Sequence, residues 1–141
     1  AKLLLIGDGP LMAELQQSAK NLGVAKQVIL LGYRENASRY LPALDVFVMP
    51  SRSEGLSIAL LEAMAAGLPL MVSDIASIKF VVGSDVRRLI LANELSWQNS
   101  MLSFLCMEKR ALSDLSLLSR CRVYEYFGRD RFRSSYLSLV G

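Results

Sequence analysis

Short apolar runs alternate with amphipathic stretches along most of this chain. Five runs are apolar at nearly every position, and each is followed by a glycine, a proline or another small residue. That pattern is typical of strands whose two faces are both buried in a parallel sheet. The five predicted strands are Lys2–Ile6, Gln27–Leu31, Asp45–Met49, Pro69–Ser73 and Arg88–Leu91.

Helical periodicity fills the intervals between these strands. The clearest boundaries are Pro10 before the first helix, Gly23 after it and Gly67 after the third, because proline favours helix starts and glycine favours helix ends. After residue 93 the pattern is helical throughout. The predicted helices are Leu11–Leu22, Ala37–Leu41, Leu56–Ala66, Leu95–Met107, Lys109–Tyr126 and Arg129–Leu139.

Alternating strands and helices predict an α/β fold. We expect a doubly wound, mostly parallel sheet of about five strands, similar to half of a dinucleotide-binding fold, followed by C-terminal helices. No internal repeat or low-complexity linker interrupts the 141 residues. The sequence therefore predicts one domain over residues 1–141.

The segment 50–69 carries the clearest candidate chemistry. Glu54 stands just before a predicted helix, and Glu62 lies eight residues later within it, roughly 9 Å along the axis from Leu56. The first turn between them carries no charge, and its unpaired backbone N–H groups favour an anion. Carboxylates on either side are strong acceptors for hydroxyl groups. A diphosphate flanked by two hydroxyl-bearing groups, which is a nucleotide-sugar, fits this arrangement.

The same residues have a purely structural interpretation. Ser51-x-x-Glu54 matches the spacing of a helix capping box, and Glu62 could pair with a basic residue on the helix surface. A capping box does not call for a glycine such as Gly55 directly after its glutamate. Spacing alone leaves both interpretations open.

The segment also resembles the signature of a known family. Three features resemble the retaining, nucleotide-sugar-dependent "group 1" glycosyltransferases of the GT-B fold: Pro50-Ser51, the pair Glu54 and Glu62 with seven residues between them, and the following Ala63-Met64-Ala65-x-Gly67-x-Pro69. Segments 5–10 and 28–49 agree in order and spacing, so the resemblance covers roughly residues 1–75. It implies the donor-binding half of a hexosyl-type transferase of polysaccharide or lipopolysaccharide biosynthesis, whose acceptor is a glycan or a lipid-linked glycan.

The resemblance also implies roles for individual residues. Glu62 corresponds to the glutamate that holds the ribose hydroxyls of the donor. The backbone of Gly55, Leu56 and Ser57 corresponds to groups beside the diphosphate and the sugar. Glu54 corresponds to the catalytic glutamate near the reacting carbon, with an electrostatic and positional role rather than a nucleophilic one.

Two turns at the ends of predicted strands are further candidates. Tyr33 and Arg34 follow the second strand, and the resemblance implies that they line the pocket for the nucleotide base. The alternative is an exposed loop whose aromatic ring covers neighbouring apolar surface. The Gly7–Pro10 turn lacks the third glycine of a dinucleotide fingerprint, because Met12 stands there. A tight strand-to-helix turn without a dinucleotide cofactor is therefore expected.

The chain departs from the family in three respects. The arginine and lysine that usually clamp the diphosphate have no counterpart, and neither has the acceptor-binding N-terminal domain. We therefore expect a fragment that lacks its first strand–helix unit and is inactive alone. Its exposed strand edges favour a strand-exchanged oligomer. Ala76–Phe80 stands where the family has a glycine-rich turn followed by Pro-Glu.

Composition excludes several classes of protein. No apolar run approaches the roughly 20 residues of a membrane span, and no signal peptide opens the chain. Cys106 and Cys121 form no metal motif and are expected to be reduced thiols in a cytoplasmic protein. The absence of histidine excludes Ser-His-Asp and Cys-His catalysis. Without an Asp-x-Asp pair, neither a metal nor another cofactor is expected beside the donor.

Positive charge is concentrated at the C-terminal end. The net charge is +3, and residues 101–141 hold seven basic and four acidic side chains. Aromatic residues interleave with the arginines, so residues 109–133 are a candidate surface for an anionic membrane, which would make the protein peripheral. The alternative is a solvated arginine face whose aromatics pack inward. No nucleic-acid motif accompanies the charge.

Two functional alternatives stay open beside the transferase. One is a non-catalytic nucleotide-binding or membrane-docking module of the same fold. The other is a nucleotide-sugar epimerase of similar architecture.

Overall fold

Strands and helices alternate along the chain as the sequence pattern predicts. The computed structural model describes residues 1–83, 94–129 and 131, and the chain divides into two compact units, residues 1–39 and 40–141. The elements in chain order are β1 (Leu3–Ile6), α1 (Met12–Asn21), β2 (Val28–Gly32), a 3-10 helix (Ala37–Ala43), β3 (Phe47–Met49), α2 (Ile58–Ala65), β4 (Leu70–Val72), α3 (Ala76–Val82), α4 (Glu94–Leu105) and α5 (Lys109–Phe127).

The first unit is a strand–helix–strand motif. β1 and β2 pair in parallel, from Leu3 opposite Val28 to Ile6 opposite Gly32, with a shift of register after Leu5. Helix α1 connects them. Gly23, with φ of +70°, follows the C-cap residue Leu22. In the turn between β1 and α1, the side-chain Oδ1 of Asp8 accepts a hydrogen bond from the Gly9 amide at 2.8 Å.

The second unit repeats this motif and adds helices. β3 and β4 pair in parallel, from Phe47 opposite Leu70 to Met49 opposite Val72, and α2 connects them. Helix α5 packs against α2 and α3. The buried core of this unit lies between the sheet and these helices. Its members are Leu41, Met49, Leu60, Ala63, Met64, Leu68, Leu70, Val72, Ile78, Val81, Val82 and Val123.

Gly67 ends α2 as the sequence predicts. Its φ is +75°, and its amide donates to the carbonyl of Met64 while the next amide, that of Leu68, donates to Ala63, both at 3.0 Å. Glycine adopts this left-handed conformation without the steric penalty that a Cβ brings. The buried Leu68 then leads the chain directly into β4.

The predicted α/β class with parallel strands is confirmed. The sequence predicts a sheet of about five strands; in the described residues β1 pairs with β2 in the first unit and β3 pairs with β4 in the second. Helix α3 is an element that the sequence did not predict. The predicted strand Arg88–Leu91 and nearly all of the predicted helix Arg129–Leu139 lie outside the described residues. The assignment of residues 1–141 to one domain stays a prediction.

No helix in the described ranges combines the length and the hydrophobicity needed to cross a membrane. Within the same ranges, no three cysteine, aspartate or glutamate side chains are grouped so that they could hold a metal ion. Both cysteines, Cys106 and Cys121, are exposed thiols.

Candidate functional site

The candidate site lies where β3 and β4 end side by side. The Ser73 amide donates a hydrogen bond to the carbonyl of Met49 at 3.1 Å, and the Ser73 hydroxyl approaches the same oxygen at 3.4 Å. The loops that follow the two strands therefore begin as neighbours. In α/β proteins, ligands bind in the crevice beyond the carboxyl ends of parallel strands.

Glu54 lies in the first of these loops and is held there by Ser51. The Ser51 hydroxyl donates to Glu54 Oε1 at 2.6 Å, and both side chains are half-buried. One carboxylate oxygen is thereby engaged, and a carboxylate can accept further hydrogen bonds at its second oxygen. The capping-box interpretation of this pair is wrong, because Ser51 does not begin the helix.

Ser57 caps α2 instead. Its backbone is extended, with φ of −79° and ψ of 110°, and its hydroxyl accepts a hydrogen bond from the Leu60 amide at 3.3 Å. The helix therefore begins at Ile58, two residues later than predicted, and Leu56 belongs to the loop. Glu62 then lies only about 6 Å along the axis from the first helical residue.

The start of α2 is open to a ligand. In the described part of the chain, no acceptor meets the amide N–H groups of Ile58 and Ala59. The side chains of Leu56 and Ile58 are 57% and 62% exposed, so core residues do not cover the helix start. No acidic side chain stands in the first turn. These amides and the helix dipole together form a favourable environment for an anion.

Glu62 stands one turn into α2 on the same face as Ile58. The two residues are four positions apart, which places them one above the other on a helix. The Glu62 side chain is half-buried. The ion pair found in the described residues joins Asp74 to Lys79 at 2.9 Å, and Glu62 takes no part in it. The alternative of a surface ion pair for Glu62 therefore finds no partner in the described residues.

A cleft of about 360 Å³ extends from the Glu54 loop along α3. Phe80 of α3 and Phe127 of α5 meet edge to face, with ring centroids 6.3 Å apart and planes at 85°. Sequence reasoning did not identify Ser77, Phe80 and Phe127 as site residues, because α3 was not predicted and Phe127 is distant along the chain. The lining residues are Gly55, Leu56, Ala76, Ser77, Phe80, Val81 and Phe127.

Tyr33 and Arg34 belong to the first unit. Both side chains are exposed, Tyr33 at 70%, and Arg34 Nη1 donates to the carbonyl of Tyr33 at 2.8 Å. They follow β2 at its carboxyl end, as the sequence predicts. Their contribution to a base pocket stays a prediction.

Two arginines of the basic C-terminal segment make internal contacts. Arg122 donates from Nε to the carbonyl of Val81 at 2.8 Å and from Nη2 to that of Phe80 at 2.9 Å. Its guanidinium also lies 4.6 Å from the ring centre of Tyr126. The side chain of Arg120 lies against Gly67. A membrane role for residues 109–133 stays a prediction.

Comparison with known proteins identifies the family. Residues 1–106 match the family model "Glycosyl transferases group 1". The chain belongs to this family. The match favours the transferase over the epimerase alternative, and it confirms the resemblance found in the segments around Glu54 and Glu62.

Relatives are similar to the chain over part of their length. The chain is 41% identical to a putative glycosyltransferase, EpsF, of Bacillus subtilis (strain 168) over 96 residues, which are 67% of this chain and 25% of that protein. It is 30% identical to N-acetyl-alpha-D-glucosaminyl L-malate synthase of Bacillus anthracis over 137 residues, 96% of this chain and 36% of that enzyme. The chain thus spans between 25% and 36% of these two relatives.

Solved structures show the same fold. The similarity to WaaG, a glycosyltransferase involved in lipopolysaccharide biosynthesis, has a TM-score of 0.73 at 20% identity and covers 86% of this chain and 33% of WaaG. The similarity to Anabaena Alr3699/HepE in complex with UDP has a TM-score of 0.75 at 18% identity and covers 98% of this chain and 41% of that protein. These neighbours are GT-B glycosyltransferases, so the predicted fold is confirmed.

Proposed function

We propose that this chain is the donor-binding domain of a retaining glycosyltransferase that uses a uridine diphosphate sugar. The observation that carries the proposal is the open start of α2. There the amides of Ile58 and Ala59 meet no acceptor in the described residues, and Glu54 and Glu62 lie on either side. A relative 42% identical over 73 residues, 51% of this chain and 19% of that enzyme, is named UDP-Gal:alpha-D-GlcNAc-diphosphoundecaprenol alpha-1,3-galactosyltransferase, from Escherichia coli. That name supports a uridine nucleotide and a lipid-linked glycan acceptor.

The diphosphate is bound at the helix start. The amides of Ile58 and Ala59 donate to its oxygens, and the helix dipole stabilises the negative charge that develops as the diphosphate leaves. Glu62, one turn further along the same face, accepts hydrogen bonds from the ribose hydroxyls. Glycosyltransfer forms a bond between the acceptor oxygen and the anomeric carbon and breaks the bond from that carbon to the diphosphate. The acceptor proton leaves with the departing diphosphate oxygen.

Glu54 lies on the sugar side of the diphosphate. Because Ser51 occupies one of its oxygens at 2.6 Å, the carboxylate is fixed and its second oxygen can accept from a sugar hydroxyl. A fixed negative charge at this point favours the positive charge that the anomeric carbon acquires. The transferred sugar is a hexose, and it keeps its anomeric configuration because reaction occurs on one face.

The acceptor is bound by a part of the protein beyond this chain. The chain spans only 25–36% of two relatives that it matches, so most of their length has no counterpart in it. The exposed thiols of Cys106 and Cys121 support a reducing compartment, and we propose the cytoplasm as the site of the reaction.

Calorimetric titration with UDP tests the proposal. We expect UDP to bind the chain, and we expect the Glu62→Ala variant to bind roughly ten- to hundredfold more weakly, because hydrogen bonds to a charged group are lost. Glu14→Ala is the matched control, since Glu14 is an exposed helical glutamate of the first unit. If UDP does not bind, or if both variants bind it equally, the proposed donor site is wrong.

A further inference from the structure

We infer that the cleft beside the Glu54 loop holds an apolar substituent of the donor sugar, so that donors whose sugar carries a methyl group are preferred. This inference rests on the proposed function and adds the class of sugar. Gly55 and Leu56 belong both to the loop at the start of α2 and to the wall of the cleft. A sugar attached to a diphosphate at that helix start therefore faces the cleft.

The cleft has the size of a ligand site. Its volume of about 360 Å³ lies within the range of about 300–1,000 Å³ that small-molecule pockets occupy. Its walls come from three elements of the same unit, which are the loop before α2, helix α3 and the end of α5.

The chemistry of the walls is unsuited to a fully hydroxylated sugar. Of the seven lining residues, five have hydrocarbon side chains, one is a glycine, and only Ser77 carries a hydroxyl. Among the residues that the structure describes, no lining side chain is charged. A sugar hydroxyl that leaves water for this cleft loses hydrogen bonds to water and finds few side-chain partners in their place, which is unfavourable. A methyl group gains from the same transfer.

Phe80 is the residue that defines the apolar wall. The residue is 72% exposed, so its ring is accessible from the cleft. The ring packs edge to face on Phe127, and Arg122 donates a hydrogen bond to the backbone carbonyl of Phe80 at 2.9 Å. An exposed aromatic ring that already packs on a neighbouring ring offers an apolar surface to a ligand.

The test compares UDP, UDP-glucose, UDP-6-deoxyglucose and UDP-N-acetylglucosamine by calorimetry and by saturation-transfer NMR. We expect at least one methyl-bearing donor to bind about fourfold or more tightly than UDP-glucose, as burial of one methyl group predicts. Saturation should reach its methyl protons strongly. Phe80→Ser should abolish this preference without weakening the binding of UDP itself.

Two further variants separate specificity from folding. Phe80→Leu keeps an apolar wall and should retain a preference for the methyl-bearing donor. Leu105→Ser removes another exposed apolar side chain, in α4 and outside the cleft, and should leave the affinities for UDP and for all three UDP-sugars unchanged. Equal affinities for the three UDP-sugars, or a preference that persists in Phe80→Ser, would overturn this inference. The proposed function would still stand in that case, provided that UDP binds. Failure of UDP to bind overturns both.

Discussion

A glycine stands between Glu54 and Leu56, although a Cβ at this position would meet no atom within 4 Å. Its φ is not in the left-handed region either. Neither backbone conformation nor internal packing therefore requires a glycine at Gly55. Open space beside a glycine in a cleft wall is consistent with close approach of a ligand to the backbone.

Replacing Gly55 by alanine should separate stability from binding. We expect Gly55→Ala to raise the free energy of unfolding by about 0.4–1 kcal/mol, because the unfolded chain loses conformational freedom and the folded chain has room for the methyl group. Binding of UDP-glucose should weaken, since the new methyl group occupies the ligand side. Thermal unfolding and calorimetry measure the two effects.

Gly67→Ala is the control for that experiment. At Gly67 the φ is +75° and a Cβ would lie 2.6 Å from Arg120 Cδ, so alanine should lower the free energy of unfolding. Undiminished affinity of Gly55→Ala for UDP-glucose would mean that the ligand does not approach this backbone.

At the scale of elements, Arg122 joins α5 to the C-terminal end of α3. Its two hydrogen bonds reach the carbonyls of Phe80 and Val81 in the last turn of α3, a part of a helix whose carbonyls need partners from outside it. Gly83 makes this approach possible, because a Cβ there would lie 2.3 Å from the guanidinium carbon. A cation beside helix C-terminal carbonyls is also favoured by the helix dipole.

Arg122→Met should therefore destabilise the second unit. We expect a loss of roughly 2–3 kcal/mol in the free energy of unfolding from two hydrogen bonds and the contact with Tyr126, measured by urea denaturation. Arg110→Met, at an exposed position in the first turn of α5, should leave the urea midpoint unchanged. Similar midpoints for both variants would contradict the assigned role of Arg122.

The elements with clear end signals were predicted well from the sequence. Gly23 and Gly67 marked the ends of α1 and α2, and the ends of α4 and α5 differ from the predicted ones by at most two residues. Helix α3 was missed because it has only seven residues and begins without a side-chain cap. Short apolar segments do not distinguish helix from strand by periodicity alone.

Strand pairing and long-range contacts could not be predicted from the sequence. The pattern of buried strands gives no information on which strands share hydrogen bonds, so the pairing of β1 with β2 and of β3 with β4 could not be read from it. The contact of Arg122 with Phe80 joins residues 42 positions apart. The site segment around Glu54 and Glu62 was recognised because its residues are close in sequence, whereas the cleft combines three distant segments.

At the scale of the whole molecule, binding and turnover have different requirements. The proposed donor contacts belong to this chain, whereas the acceptor contacts are proposed to lie in the part of the relatives' length that the chain does not span. The isolated chain should thus bind UDP without transferring sugar.

In the complete enzyme, Glu54→Ala and Glu62→Ala should have different effects on kinetics. We expect Glu54→Ala mainly to lower kcat, because the fixed charge acts on the developing positive charge of the sugar. Glu62→Ala should mainly raise KM for the donor, because ribose contacts are equal in the ground and transition states. Steady-state kinetics with varied UDP-sugar measure both constants. Equal changes in kcat for the two variants would refute this division of roles.

The uncharged lining of the cleft has a consequence for behaviour in concentrated electrolyte. Added salt weakens the attraction between the exposed start of α2 and a diphosphate, because mobile ions screen it. Contacts between a methyl group and the rings of Phe80 and Phe127 involve no net charge and escape that screening. Rising ionic strength should consequently reduce how much donor is bound while leaving the ratio between competing donors nearly constant.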